Sequence, residues 1–139
     1  MAAEMTLVLV DTSAWSLLLR RQTDKRNDAI VNVLSELIVD LRVAIIGCIR
    51  QELLSGISDK ALFEKLRSAL AAYEDTQLGR SVYERAAEFY NICRAKGIQG
   101  SAIDFLICAA ATENGWTILS TDKDFKRYAK HLPITLHEQ

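Results

Sequence analysis

The chain is poor in the residues that staple or ligate small domains: three cysteines, two histidines and one proline in 139 residues. Cys48, Cys93 and Cys108 are odd in number, lie far apart among apolar neighbours and form no C-x-x-C pair. That argues against a disulfide framework and a zinc site alike. Both histidines, His131 and His137, stand near the C-terminal end and read as surface residues. No apolar run approaches the roughly 18 residues of a membrane-spanning helix, and Phe105 to Ala111 is the longest in the C-terminal half. The first ten residues carry Glu4 where a signal peptide is basic, and the stretch Leu7 to Val10 is too short for its apolar region, so the expected location is the cytoplasm. An excess of one charge is also missing, with 17 basic against 18 acidic side chains. Any contact with nucleic acid must therefore come from a local patch. There is no G-x-S-x-G elbow, P-loop, dinucleotide G-x-G-x-x-G, or Ser-His-Asp or Cys-His arrangement, which leaves covalent and nucleotide-cofactor chemistry without support.

What is present describes a single domain over residues 1–139, half apolar and one quarter charged. At this length folding buries roughly 68% of the unfolded surface, enough for a core without staples. Leu7 to Val10, Val43 to Ile46 and Thr117 to Leu119 read as strands buried on both faces; Tyr73 to Thr76 and Ile134 to Leu136 are further short candidates. Between them run stripes at 3.6-residue spacing: Ala29 to Leu41, Leu62 to Leu70, Val82 to Cys93 before Gly97, and a helix opened by Ser101 that ends near Gly115. Short apolar strands alternating with helices predict an α/β fold, a three-layer α/β/α sandwich around a central, mostly parallel sheet. Sites in such sheets lie beyond the carboxyl ends of the strands.

Acidic residues occupy those places. Asp11 directly follows the first strand, where a helix N-cap is the structural alternative. Glu52 projects between Cys48 and the Ile49/Leu53 stripe of a short helix; a glutamate at the edge of an apolar face can also reach water. Asp104 is the one acid in Ala102 to Ala111, on a helix apolar nearly all round, where a buried charge needs a partner. Its alternative role is a capping box with Ser101. Asp122 and Asp124 follow the strand Thr117 to Leu119, and the Thr121/Asp124 spacing predicts that Asp124 serves the cap and Asp122 points outward. Four acids from four distant segments would converge on one sheet end. Clustered carboxylates repel unless a cation sits among them, and an oxygen-only set without His or Cys selects Mg²⁺ or Mn²⁺. Such a site suits phosphodiester hydrolysis by an activated water.

The segments Val10-Asp11-Thr12-Ser13-Ala14-Trp15, Gln51-Glu52-Leu53-Leu54, Ile103-Asp104-Phe105-Leu106-Ile107-Cys108-Ala109 and Leu119-Ser120-Thr121-Asp122-Lys123-Asp124-Phe125 together resemble the PIN-domain ribonucleases, most closely the VapC toxins of toxin–antitoxin pairs. The resemblance runs from Leu7 to about Leu136. It implies a PIN-like fold, a Mg²⁺ site formed by Asp11, Glu52, Asp104 and Asp122, and a bordering hydroxyl from Ser13 or Thr12. It further implies an endoribonuclease neutralised by a cognate VapB-like antitoxin whose tail crosses the acidic groove, and a homodimer. Thr121 and Asp124 are accessory candidates.

Phosphate contacts would come from Arg20, Arg21, Lys25 and Arg26 after the first helix, or from Lys123, Lys126, Arg127 and Lys130 beside Asp122; solvated helix faces explain such runs equally. Trp15 could stack a base, although its place in an apolar helix start favours core packing. Two other readings compete: a non-catalytic PIN-like module binding RNA or protein, with structural carboxylates, and phosphoryl transfer through an aspartyl-phosphate. The second would want an acid two residues after Asp11, where Ser13 stands.

Overall fold

Three short parallel strands organise the chain in a computed structural model that describes residues 6–19 and 28–137. The elements run β1 (Val8–Val10), α1 (Thr12–Leu19), α2 (Asp28–Val39), β2 (Val43–Ala44), α3 (Gly47–Leu54), α4 (Lys60–Leu70), α5 (Arg80–Ala95), α6 (Ala102–Asn114), β3 (Thr117–Leu119) and α7 (Asp124–Ala129). The sheet order is β2-β1-β3, with Val8 opposite Val43 on one side and Val8, Leu9 and Val10 opposite Thr117, Ile118 and Leu119 on the other. Successive strand side chains point to opposite faces, and Val8, Leu9 and Val10 are all fully buried. Both faces are therefore covered, the α/β/α layering that the apolar runs predict.

The two further short candidates appear as single parallel bridges at the sheet edges, Ile45 with Asp75 and Ile118 with Leu136. The predicted strand Val43 to Ile46 is shorter than its apolar run because the backbone turns into α3 at Gly47. Arg50 pins the first edge segment: it pairs with Asp75 at 2.9 Å and donates to the carbonyls of Leu70 and Tyr73.

Helix α6 sets the layer beside β3. Ser101 caps its start, accepting the Asp104 N–H at 3.0 Å, and Gly115 ends it in the left-handed conformation at φ +70°, where a Cβ would be strained. Phe105, Ile107 and Cys108 through Ala111 are buried, and α5 packs along it through Val82, Phe89 and Cys93. Burying one side chain of this size contributes about 1.5–3 kcal/mol, which holds α6 and its acid against the sheet. Trp15 is buried, edge-on to Tyr73 at 5.6 Å, so it is a core residue. No helix among the described residues is long and apolar enough to cross a membrane.

Candidate metal centre at the strand ends

The pairing of Val10 with Leu119 makes Asp11 and Ser120 leave the sheet side by side. The Asp11 carbonyl accepts the N–H groups of Ala14 and Trp15, so its backbone stands at the start of α1 as the sequence suggests. Its side chain does not cap. Asp11 Oδ2 accepts the hydroxyls of Ser13 at 2.9 Å and Ser120 at 2.8 Å, on a carboxylate only 8% exposed. A hydroxyl has one proton, so with both given to Asp11 the 3.1 Å approach of the two serine oxygens is a close contact without a shared proton. Both oxygens also accept: Ser13 from the Thr121 N–H and Ser120 from the Asp122 N–H, each at 3.0 Å. Two serines thereby tie the turn after β3 to Asp11. Thr12 Oγ1 is buried without a hydrogen-bond partner among the described residues, so Ser13 is the hydroxyl that meets the acid.

Asp104 lies on the first turn of α6, half-buried. Its backbone takes the Ser101 cap, but its carboxylate does not close a capping box; Oδ2 accepts the hydroxyl of Tyr128 at 2.7 Å. Burial raises the Asp104 carboxyl above its ordinary range, opposed by the Tyr128 and Ser101 hydrogen bonds and reinforced by the charges of Asp11 and Asp122. A cluster of like charges is visible in that balance.

The turn before α7 corrects the sequence reading. Thr121 is not the cap: Asp122 Oδ1 accepts the Asp124 N–H at 2.9 Å, and the residue at the N-cap position, Lys123, makes no side-chain cap bond. The reason is that the helix starts at Asp124 itself, two residues later than a Thr121 cap requires. Asp122 does the capping, and Asp124, which takes no part in a cap, lies in the acidic cluster.

Oxygens of Asp104, Asp122 and Asp124 all lie within 4.8 Å of one another. Two ligands at the 2.0–2.1 Å of Mg²⁺ stand at most about 4.2 Å apart, so small rotations of these partly exposed side chains bring the set onto one hard cation. The donor chemistry fits: carboxylates only, with no sulfur or imidazole in the group. Asp11 borders the group through its charge on Asp104. Glu52 is an exposed residue of α3 outside the group. It shares Cys48 with Asp11 as a neighbour; burial, then Glu52, with Asp11 adding, push the Cys48 thiol up to about 11.

The PIN domain family model matches residues 8–131. The chain belongs to the PIN-domain family. No curated protein matches it significantly in sequence. Among solved structures, this PIN domain is similar to FitAcB from Neisseria gonorrhoeae at 20% identity, covering 95% of this chain and 97% of that one with a TM-score of 0.76. It is similar to VapBC2 from Rickettsia felis, bound to a DNA fragment from its promoter, at 21% identity, 96% and 98% coverage and a TM-score of 0.73. A toxin–antitoxin complex from Klebsiella pneumoniae follows at 16% identity, 85% and 89% coverage and a TM-score of 0.62.

The basic candidates divide. Arg20, Arg21, Lys25 and Arg26 lie outside the described residues. Lys123 and Lys126 are exposed at the acidic end of the PIN domain, whereas Arg127 is drawn to Asp124 at 3.4 Å. Sequence reasoning missed Ser120 and Tyr128. The matched strand ends Val10 and Leu119 point to Ser120; nothing local marks Tyr128, which reaches Asp104 from another helix.

Proposed function

We propose that this PIN domain is a Mg²⁺-dependent endoribonuclease of the VapC type, with Mn²⁺ able to substitute, whose activity a cognate VapB-like antitoxin restrains. The observation that carries the reading is the convergence of Asp11, Asp104, Asp122 and Asp124 from β1, α6 and the β3–α7 turn on one sheet end, with oxygen donors alone. Asp104, Asp122 and Asp124 are the direct ligands in this reading, with Asp11 beside them and Glu52 approaching from α3 as the fourth corner of the family pattern. A divalent cation there supplies an acidified water and positive charge for the leaving oxygen. Ser13 and Ser120 hold Asp11 and the turn in one geometry, which lowers the reorganisation required when substrate arrives. Lys123 and Lys126, joined by Arg20, Arg21, Lys25 and Arg26, offset the repulsion between an acidic site and an RNA backbone.

A groove of about 500 Å³ beside α1, α3 and α4, lined by Ser16, Leu19, Glu52, Leu53, Ile57 and Leu62, supports the partner. It joins an apolar floor to an acid, which suits an antitoxin segment carrying apolar side chains and an arginine, the best carboxylate partner. Two copies pair, in this reading, through the apolar cleft of α5 and α6 where Tyr83 and Ile103 lie.

The test is cleavage of total RNA by the purified protein with Mg²⁺, with Mn²⁺ and with EDTA. Cleavage that needs the cation and is lost in Asp104→Asn supports the reading. Full activity of Asp104→Asn at saturating Mg²⁺ removes the site assignment, and RNA binding without cleavage under every cation favours the non-catalytic module.

A further inference from the structure

Tyr128 stands on α7, 24 residues from Asp104 in sequence, and its ring is fully buried. Phe105 tilts against it with centroids 4.9 Å apart, and Phe125 meets it edge-on at 5.4 Å. Two aromatic neighbours thus fix the direction of the phenol, whose single proton goes to Asp104 Oδ2 at 2.7 Å. The last torsion of an aspartate is broad and needs an outside contact to define it. Gly100 clears the room for that contact: a Cβ there would overlap the Tyr128 hydroxyl and come within 2.8 Å of Phe105 Cε2 and Cζ.

We infer that Tyr128 is a positioning residue, a neutral donor that sets the rotation of the Asp104 carboxylate toward Asp122 and Asp124, and that Gly100 is the residue that permits it. The inference rests on the metal-site reading above. A phenol is suited to the task because it fixes the carboxylate without bringing a positive charge that would compete with the cation, as Arg or Lys would. Its contribution falls on metal affinity, the quantity that outer hydrogen-bond partners of metal ligands control.

The experiment compares the 139-residue protein with its Tyr128→Phe and Gly100→Ala variants by calorimetric titration with Mn²⁺, by melting in EDTA, and by cleavage against Mn²⁺ concentration. Tyr128→Phe retains the ring and its packing, so it is expected to fold. Its Kd for Mn²⁺ should rise about 10-fold, with the half-saturating Mn²⁺ for cleavage rising in parallel and the loss recovered at high Mn²⁺. Gly100→Ala should weaken Mn²⁺ binding in the same direction. Wild-type Mn²⁺ affinity in Tyr128→Phe overturns the inference, whatever its melting temperature, since only a packing role would remain. Failure of the wild-type protein itself to bind Mn²⁺ would remove the metal-site reading, and this inference with it.

Discussion

Replacing Ser13 and Ser120 by alanine, singly and together, tests the hydroxyl pair that holds Asp11; the Thr121 and Asp122 N–H groups that the same oxygens accept are exposed and turn to water. Both donate to the same oxygen, at 2.9 and 2.8 Å, on a carboxylate that is 8% exposed. A hydrogen bond to a charged group contributes about 1.5–3 kcal/mol. Either single change leaves Oδ2 one donor, so each should cost about 1.5 kcal/mol, the lower end of that range. The second removal strips the last hydroxyl from a buried charge and should cost about 3 kcal/mol, which brings the double variant to about 4.5 kcal/mol, beyond the sum of the singles. At this chain length each single variant should melt about 5 °C lower and the double about 15 °C lower. The assay is reversible unfolding in EDTA, followed by circular dichroism. Singles within 0.5 kcal/mol of wild type, or a double equal to their sum, would refute the shared-oxygen argument.

Asp104→Asn retains an acceptor for Tyr128 and removes a charge. A carboxyl raised by folding contributes stability below its unfolded value, near pH 4, and loses it as pH rises through the folded value. Metal-free wild type should therefore fall in stability relative to Asp104→Asn as pH rises from about 4, and equal pH profiles would refute this. Asp122→Ala removes the α7 cap bond and should cost about 1 kcal/mol, whereas Asp124→Ala loses an exposed pair with Arg127 and should cost less; the reverse order in thermal melts would contradict the cap geometry. Cys48, pushed up to about 11 by burial and then Glu52, should react slowly with iodoacetamide at pH 8, and Glu52→Gln should speed it by enlarging the thiolate fraction. An unchanged rate would separate Glu52 from Cys48. Neutralising Lys123 and Lys126 should flatten the salt dependence of RNA binding, and an unaltered slope in a filter-binding assay would return both to the solvated surface.

The sequence by itself determined the main elements and the sheet end at which the acids gather. Strand β1 was legible in Leu7 to Val10 because a strand buried on both faces must be apolar at every position. Helix α6 was legible through Ser101 and Gly115, whose capping roles depend only on neighbours three or four residues away. Asp11 and Asp104 stood out by their place in those local patterns. The cap at Asp122 was not legible, since Thr121 and Asp122 are both good capping types and only the backbone path after β3 chooses between them. Nor was the bond of Ser120 to Asp11, 109 residues away, which follows from the register of β1 against β3. Tyr128 reached Asp104 only because α7 packs its aromatic face on Phe105 and Gly100 leaves the space open. Periodicity and capping are short-range properties that a one-dimensional pattern carries. Which carboxylate shares which proton is fixed by register and packing between distant segments, and the tertiary structure alone decided it.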